Sequence, residues 1–290
     1  MYLLIDGKHF VYRAFYATPE LTRSTDSFPI GAIHGWSRIM WSLMDEYPTG
    51  TYEIFWDAGS KARLEMDSNY KANRKPVPEP MRPQLPYIEK LANLMGIASY
   101  KEEGHEADDL IGTRASDLAA KGEEVLIVSA DKDFAQCVNE KIHMLMPPPT
   151  ANTKDGWKRL TPEGVVEKFG VTPDQIADYL ALMGDTSDNV KGLEGVGPKT
   201  AGEWLKAYKN LEGIFANCGK LNPKRFQNVV YESQEMLLKN RQMTTLHKRE
   251  LPAAIRTEGQ RDGAQVVAIF KELHLKTCGE EAQKRYGANV

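Results

Sequence analysis

The chain has 290 residues, 41% hydrophobic and 27% charged, with a formal net charge of −3 at pH 7. That mix suits a globular protein of one large domain, or a domain with a smaller companion, and no apolar run approaches the ~18 residues of a membrane span. The start, Met1-Tyr2-Leu3-Leu4-Ile5-Asp6, lacks the basic opening of a signal peptide, and the odd, widely spaced Cys137, Cys218 and Cys278 form no metal pattern, which points to a reducing, cytoplasmic setting.

Residues 2–5 are a short apolar run that stops at Asp6-Gly7, a buried strand with an acid at its C-terminal end. In open α/β sheets ligands sit beyond such ends; an Asp capping the next helix is the equally simple reading. Residues 11–16 carry aromatics and Arg13. Gly31 opens a helix to about Asp45, with Ile33, Trp36, Ile39, Met40 and Leu43 on one face. A second strand, Tyr52 to Trp56, again ends in an acid, Asp57. Residues 60–83 have few aliphatics, many charges and Pro76, Pro78, Pro80 and Pro83. The pattern predicts a mobile, partly basic segment in which Tyr70 offers a face for a base and the charges suit phosphates. A helix follows, from about Leu85 to Leu94.

The stretch Gly104-His105-Glu106-Ala107-Asp108-Asp109-Leu110-Ile111 opens an amphipathic helix to Ala120. One or two acids in a first turn are accounted for by the helix dipole. Three repel one another unless a cation lies between them. Residues 124–130 are the clearest buried strand, and Asp131-Lys132-Asp133 follows it. Strands alternating with helices predict a mostly parallel sheet flanked by helices, with the acids gathered along one edge of it.

Ile142–Met146 and Trp157–Leu160 read as a hairpin with a loose tip at Pro147-Pro148-Pro149. Thr161-Pro162 and Thr172-Pro173 each pair an N-cap with proline at the first helical position. After Met183-Gly184 come two more acids, Asp185 and Asp188. The turn Gly195-Val196-Gly197 opens directly into Pro198-Lys199-Thr200-Ala201, an arrangement in which backbone N–H groups and the helix dipole face a phosphate and Lys199 adds charge. It looks like a helix-hairpin-helix grip on duplex backbone. Residues 203–247 look helical, and Val266–Leu273 reads as a helix returning to the main domain. His143 and His247 read as surface or packing residues. No internal repeat, Walker loop, dinucleotide fingerprint or nucleophilic triad is visible. Setting aside the acids at 6, 57, 106, 108, 109, 131, 133, 185 and 188 turns the charge balance basic, which suits a phosphate backbone partner.

These motifs, in this order, resemble the 5′-nuclease (flap endonuclease) family, nearest to the 5′→3′ exonuclease domain of bacterial DNA polymerase I and to stand-alone phage and bacterial 5′-exonucleases. The resemblance is carried by Leu-Leu-Ile-Asp6-Gly7, Trp56-Asp57-Ala58, Tyr70-Lys71-Ala72-Asn73-Arg74, Gly104 to Asp109, Ala130 to Asp133, Gly184 to Asn189 and Gly192 to Ala201, and covers residues 1 to about 247. It implies an α/β, PIN-like nuclease core over residues 1–170, with an arch at about 62–90. A helical helix-hairpin-helix subdomain would span 171–250, and 251–290 would return to the core.

It also implies two Mg²⁺ or Mn²⁺ ions: one among Asp6, Asp57, Glu106 and Asp108, the second served by Asp131, Asp133, Asp185 and Asp188, with Asp109 also in the acidic set. Lys71 and Arg74 would stabilise the scissile phosphate. Tyr70 would stack on the 5′ base. Lys191, Gly195, Gly197, Lys199 and Thr200 would grip duplex, with K⁺ at the turn.

Lys191 stands where such sequences often have Pro, His105 where many have Tyr or Phe, and Trp56 replaces a common Phe; none removes a ligand. The implied protein is a monomeric, self-contained metal-dependent nuclease in a bacterial or phage-infected cell. It would act on DNA with 5′ flaps, nicks or free 5′ ends, RNA primers on DNA included. The alternatives are a structure-specific DNA-binding protein without chemistry and a related metal-dependent ribonuclease.

Overall fold

The computed structural model describes residues 1–149 and 155–287. In chain order the first half is β1 (Tyr2–Asp6), α1 (Gly7–Ala17), α2 (Gly31–Glu46), β2 (Thr51–Trp56), α3 (Lys61–Met66), α4 (Leu85–Leu94), β3 (Ala98–Lys101), α5 (Ala107–Ala120), β4 (Val125–Val128), β5 (Ile142–Met146) and β6 (Lys158–Leu160). Strands β1 to β5 are parallel in the order β5-β4-β1-β2-β3, and β6 adds an antiparallel edge. The central strands read Leu-Leu-Ile and Val-Leu-Ile-Val because helices cover both faces of the sheet. Glu53 is an exception inside β2. It is 1% exposed, and the Arg114 guanidinium donates to both of its oxygens at 2.7 and 2.8 Å.

The chain runs outward from β1 through β2 to β3, then returns to the other side of β1 with β4. The strand order therefore reverses between β1 and β4, and the crevice beyond their C-terminal ends is where an open α/β sheet places its ligand.

The second half is helical: α6 (Pro162–Phe169), α7 (Ile176–Met183), the two-residue pair β7 (Gly184–Asp185) and β8 (Val190–Lys191), then α8 (Pro198–Tyr208), α9 (Leu211–Ala216), α10 (Phe226–Glu232) and α11 (Gln234–Thr244). One apolar cluster runs from Leu4 and Phe55 through Leu110 to Trp204 and Phe226, so these helices share a core with one face of the sheet. The last elements are β9 (Arg256–Thr257), antiparallel on β3, and α12 (Gly263–Glu272) and α13 (Lys276–Tyr286). The two helices belong to the cluster on the opposite face, where Phe270 meets Trp41 at 5.5 Å between ring centroids.

Several elements differ from the sequence expectation. β3 was invisible because its four residues, Ala-Ser-Tyr-Lys, alternate polar and apolar over too short a window. The helical stretch 203–247 is broken at Lys209, which sits at φ +75°, and again around Asn217–Arg225. The predicted hairpin pairs β5 with β6, and its tip falls partly outside the described residues.

The stretch 62–90, expected as an arch, ends in residues that pack into the body. Gln84 is buried and accepts from the N–H groups of Ala32 and Ile33 at 2.8 and 3.2 Å, which caps α2, and Ile88 and Leu91 of α4 are core residues. Gln84 and α4 are part of the packed body. Among the described residues no helix is long and apolar enough to cross a membrane.

Candidate metal centre and nucleic-acid interface

Strands β1, β2 and β4 and the helix that follows β3 each deliver an acid to the crevice. Asp6 ends β1 and caps the helix that follows. Its Oδ1 caps α1 by accepting from His9 N–H at 3.0 Å, and its Oδ2 accepts from the Ser129 hydroxyl at 3.0 Å. Burial, then the charges of Asp57 and Asp131, push its carboxyl up to about 7. Asp57 follows β2 and accepts from Ala107 N–H at 3.0 Å, which caps α5, while the Lys8 ammonium stands 3.5 Å from its other oxygen. Asp108, in the first turn of α5, is raised well above the ordinary carboxylate range, first by burial and then by Asp6, Asp57 and Asp131.

Beyond β4, Asp131 caps a 3₁₀ turn by accepting from Asp133 N–H at 3.1 Å. Burial raises both carboxyls, and Asp133 has Asp131 and Asp185 as further repulsive neighbours. Asp185, on β7, is held below its usual range although burial pushes the other way. Lys132 donates to it at 2.8 Å, and the Ser187 hydroxyl and N–H at 2.6 and 2.8 Å. Oxygens of Asp133, Asp185 and Asp188 all lie within 4.8 Å of one another. Oδ1 of Asp133 is buried without a hydrogen-bond partner among the described residues.

This donor set fits a hard divalent cation. It is all oxygen, it is crowded with like charge, and it keeps a buried lone pair unspent. A cation between the acids would relieve the repulsion that raises Asp6, Asp108, Asp131 and Asp133.

Glu106 and Asp109 are placed differently. Glu106, 2% exposed, accepts from Ser60 at 2.8 Å and from Arg63 and Lys71, and the Tyr70 hydroxyl oxygen stands 3.2 Å from it. Asp109 does not face the acidic crevice. Both its oxygens accept from Arg63, at 2.7 and 2.9 Å, and one also accepts from His247 N–H at 2.9 Å. An α-helix turns about 100° per residue, so consecutive Asp108 and Asp109 point to different neighbours. In this arrangement Asp109, expected among the metal acids, serves as the buried counter-ion of Arg63.

The basic motif lies directly over the second group of acids. Arg74 donates to Asp188 at 2.6 Å and to the Ser187 carbonyl at 3.1 Å, Asn73 to the Thr186 carbonyl at 2.6 Å, and Lys71 N–H to the Asp188 carbonyl at 3.0 Å. Tyr70, expected to present an open face to a base, is 5% exposed. Its hydroxyl donates to Asp188 at 2.7 Å and the Lys71 ammonium lies 4.8 Å from its ring centroid. The aromatic ring is committed to packing between charges, which corrects the stacking expectation in this arrangement.

A cavity of about 850 Å³ opens here, lined by Asp6, Asp57, Asp108 and Asp131 on the sheet side and by Lys71, Arg74 and Lys75 above. Its third wall is a face of α1 built from Lys8, Tyr12, Arg13 and Tyr16. The sequence reading left this wall unassigned, although the spacing of Lys8, Tyr12 and Tyr16 is that of one helical face. Arg63 was missed altogether. It lies in the stretch read as loop, and its partners are 43 to 182 residues away in the chain.

The glycine turn is built as its sequence suggested. Gly195 has φ +78°, open to glycine, and Gly192 lies so close to the Met183–Gly184 backbone that a Cβ would stand 2.1–2.3 Å from it. Pro198 starts α8, and the Lys199 side chain is 90% exposed, its nearest acid Glu203 at 4.0 Å. Thr200 is half-buried in the first turn of α8, and Lys191 is exposed on β8 with its carbonyl bonded to Asn240 at 2.7 Å.

Comparison with known proteins gives a consistent result. The family model described as 5′-3′ exonuclease, N-terminal resolvase-like domain, matches residues 1–170. The one described as 5′-3′ exonuclease, C-terminal SAM fold, matches residues 171–262. The 5′-3′ exonuclease of Aquifex aeolicus is 36% identical over 282 residues, 97% of this chain and 94% of the relative. DNA polymerase I of Rhizobium leguminosarum is 32% identical over 286 residues, 94% of this chain but 27% of its own length. The chain thus spans only about a quarter of that polymerase.

Among solved structures, the bacteriophage T5 flap endonuclease in a pseudo-enzyme–product complex with DNA and metal ions superposes with a TM-score of 0.70 at 18% identity, covering 97% of both chains. The catalytic core of Rad2 in complex with DNA substrate reaches 0.60 at 15% identity, covering 93% of this chain and 86% of its own. At these identities the two structures establish the fold.

Proposed function

The chain belongs to the 5′-3′ exonuclease family and is a metal-dependent nuclease, and from that premise we propose that it hydrolyses DNA phosphodiesters at 5′ flaps, nicks and free 5′ ends. RNA primers on DNA fall within the same proposal, as does action as a monomer in the cytoplasm of a bacterial or phage-infected cell. The observation that carries the reading is the convergence of Asp6, Asp57, Asp108 and Asp131 on a cavity roofed by Lys71 and Arg74, with Asp133, Asp185 and Asp188 clustered beside it.

Asp6, Asp57, Asp108 and Glu106 would hold one Mg²⁺ or Mn²⁺, and Asp131, Asp133, Asp185 and Asp188 a second, some through water. Two such ions, when bound, supply the Lewis acidity that activates an attacking water and stabilises the leaving oxygen. The protein's own groups do the positioning. Lys132 neutralises Asp185 and keeps it ionised as a ligand. Lys71 and Arg74, which here pair with Glu106 and Asp188, would turn to the scissile phosphate and stabilise its developing charge. Arg13 and Lys8 on α1 would face the same strand across the cavity. The turn at Gly192–Gly197 with Lys191, Lys199 and Thr200 would hold duplex backbone, a K⁺ ion being held by its carbonyls.

A DNA-binding protein without chemistry would gain nothing from a crowded set of acids that repels phosphate. A ribonuclease would have less use for a duplex grip at the glycine turn. The test is cleavage of an end-labelled 5′-flap duplex and a matched blunt duplex, with Mg²⁺ and with EDTA. Metal-dependent cutting near the flap junction is expected. Binding of the flap with no cutting in Mg²⁺ or Mn²⁺ would overturn the proposal.

A further inference from the structure

Arg63 sits on α3, where its neighbours Leu64 and Glu65 are exposed, yet its own side chain is only 4% exposed. The guanidinium uses its whole fork. Nε donates to the Met243 carbonyl at 3.0 Å, and Nη1 to Asp109 at 2.7 Å and to Glu106. Nη2 donates to Asp109 at 2.9 Å and to the Thr245 carbonyl at 3.0 Å. Two of these acceptors are carbonyls at the C-terminal end of α11, where the helix dipole favours a cation.

Other, partly buried bonds meet at the same point. Gln136 donates to the Thr244 carbonyl at 3.0 Å and accepts from Leu246 N–H at 2.9 Å, so residues 243–247 are tied to the turn that carries Asp131 and Asp133. Further up α11, Asn240 donates to the carbonyls of Ala181 at 3.1 Å and Lys191 at 2.7 Å. Lys191 leads straight into the Gly192–Gly197 turn. A continuous path of buried and partly buried hydrogen bonds therefore runs from Glu106 through Arg63 to α11, and from α11 through Asn240 to Lys191 at the start of the glycine turn.

We propose that Arg63 is a positioning residue that sets the span between the duplex grip and the acidic crevice, and so selects which phosphodiester is hydrolysed. The inference rests on the reading that the chain cuts 5′ ends. A slip of one nucleotide needs a shift of only about 3.4 Å along the duplex axis, so a loose joint between grip and crevice would admit neighbouring phosphates. Lysine at 63 would keep the positive charge but lose the planar fork that reaches two carboxylates and two carbonyls together.

The test compares wild type with Arg63→Lys, and with a double variant carrying Arg63→Met and Asp109→Leu. The double variant removes Arg63 together with Asp109, both of whose oxygens it binds, because a carboxylate left buried without its guanidinium threatens folding; Glu106 keeps Ser60 and Lys71 as donors. Single-turnover products of an end-labelled 5′-flap duplex in Mg²⁺ are resolved to the nucleotide, and flap affinity in EDTA and thermal melting are measured alongside.

Wild type should give one dominant incision. Both variants should spread it over flanking phosphates, with the minor products rising at least threefold while flap affinity stays within about threefold. Slower cleavage with an unchanged product ladder would make Arg63 merely structural and overturn the inference. Wild type that does not cut at all would instead sink the functional reading, and the inference with it.

Discussion

Asp108 and Asp109 adjoin in the chain and meet opposite fates. Asp109 is neutralised by a buried guanidinium, whereas Asp108 stands among Asp6, Asp57 and Asp131 with its carboxyl raised well above the ordinary range by burial and by their charge. A carboxyl raised in the folded state weakens the fold wherever it is ionised. Asp108→Asn keeps the shape and removes the charge. It is expected to raise the melting temperature of the metal-free protein by roughly 2–4 °C while abolishing Mg²⁺-dependent cleavage. Melting in EDTA decides the first part, and a lower melting temperature would mean that the acids do not repel one another. Function here is bought with stability, as expected for a site that needs a cation to complete it.

At the scale of elements, the segment between α3 and α4 is the one whose character changed most between sequence and structure. Pro76, Pro78, Pro80 and Pro83 and the density of charge describe a solvated connection, and part of it is one. Its middle, however, is laced to the 186–189 loop by Asn73, Arg74 and the Lys71 backbone. Basic residues that answer acids elsewhere in the chain give no local periodicity, so no window of sequence reveals the docking. Lys71 sits at φ +56°, and its ammonium reaches Glu106 and lies 3.8 Å from Asp188. Lys71→Ala is expected to lower the single-turnover rate on a flap substrate about 10²-fold, with flap affinity changed far less. A parallel loss in rate and affinity would move Lys71 from transition-state stabilisation to substrate docking. In either case Glu106 keeps its bonds to Ser60 and Arg63.

For the molecule as a whole, the sheet order brings one end of every central strand to the same crevice, while α7, α8 and α11 pack around the glycine turn proposed to grip duplex. The two regions carry opposite charge. The crevice is acidic and needs cations, and the glycine turn is fringed by exposed Lys191 and Lys199. Binding and chemistry should therefore separate. Lys199→Ala is expected to weaken duplex binding equally across sequences and to reduce the salt slope by about 1, leaving the metal requirement of cleavage unaltered. Titrations of two unrelated duplexes over a range of salt concentrations would show it, and a loss confined to one sequence would rule out a backbone-only contact.

The sequence by itself determined the alternation of buried strands and helices, because a strand covered on both faces must be apolar throughout and an amphipathic helix must repeat every 3.6 residues. It also determined which acids stand at strand ends, since each closes an apolar run, and the glycine turn, since a close backbone approach admits nothing larger. What only the tertiary structure decided concerns pairs far apart in the chain. Arg63 binds Asp109 across 46 residues. Tyr70 is buried against Asp188 across 118, β3 and β9 pair across more than 150, and Asn240 and Arg63 tie the grip to the crevice. Such contacts depend on which surfaces the fold brings within hydrogen-bond reach, and no local spacing encodes that.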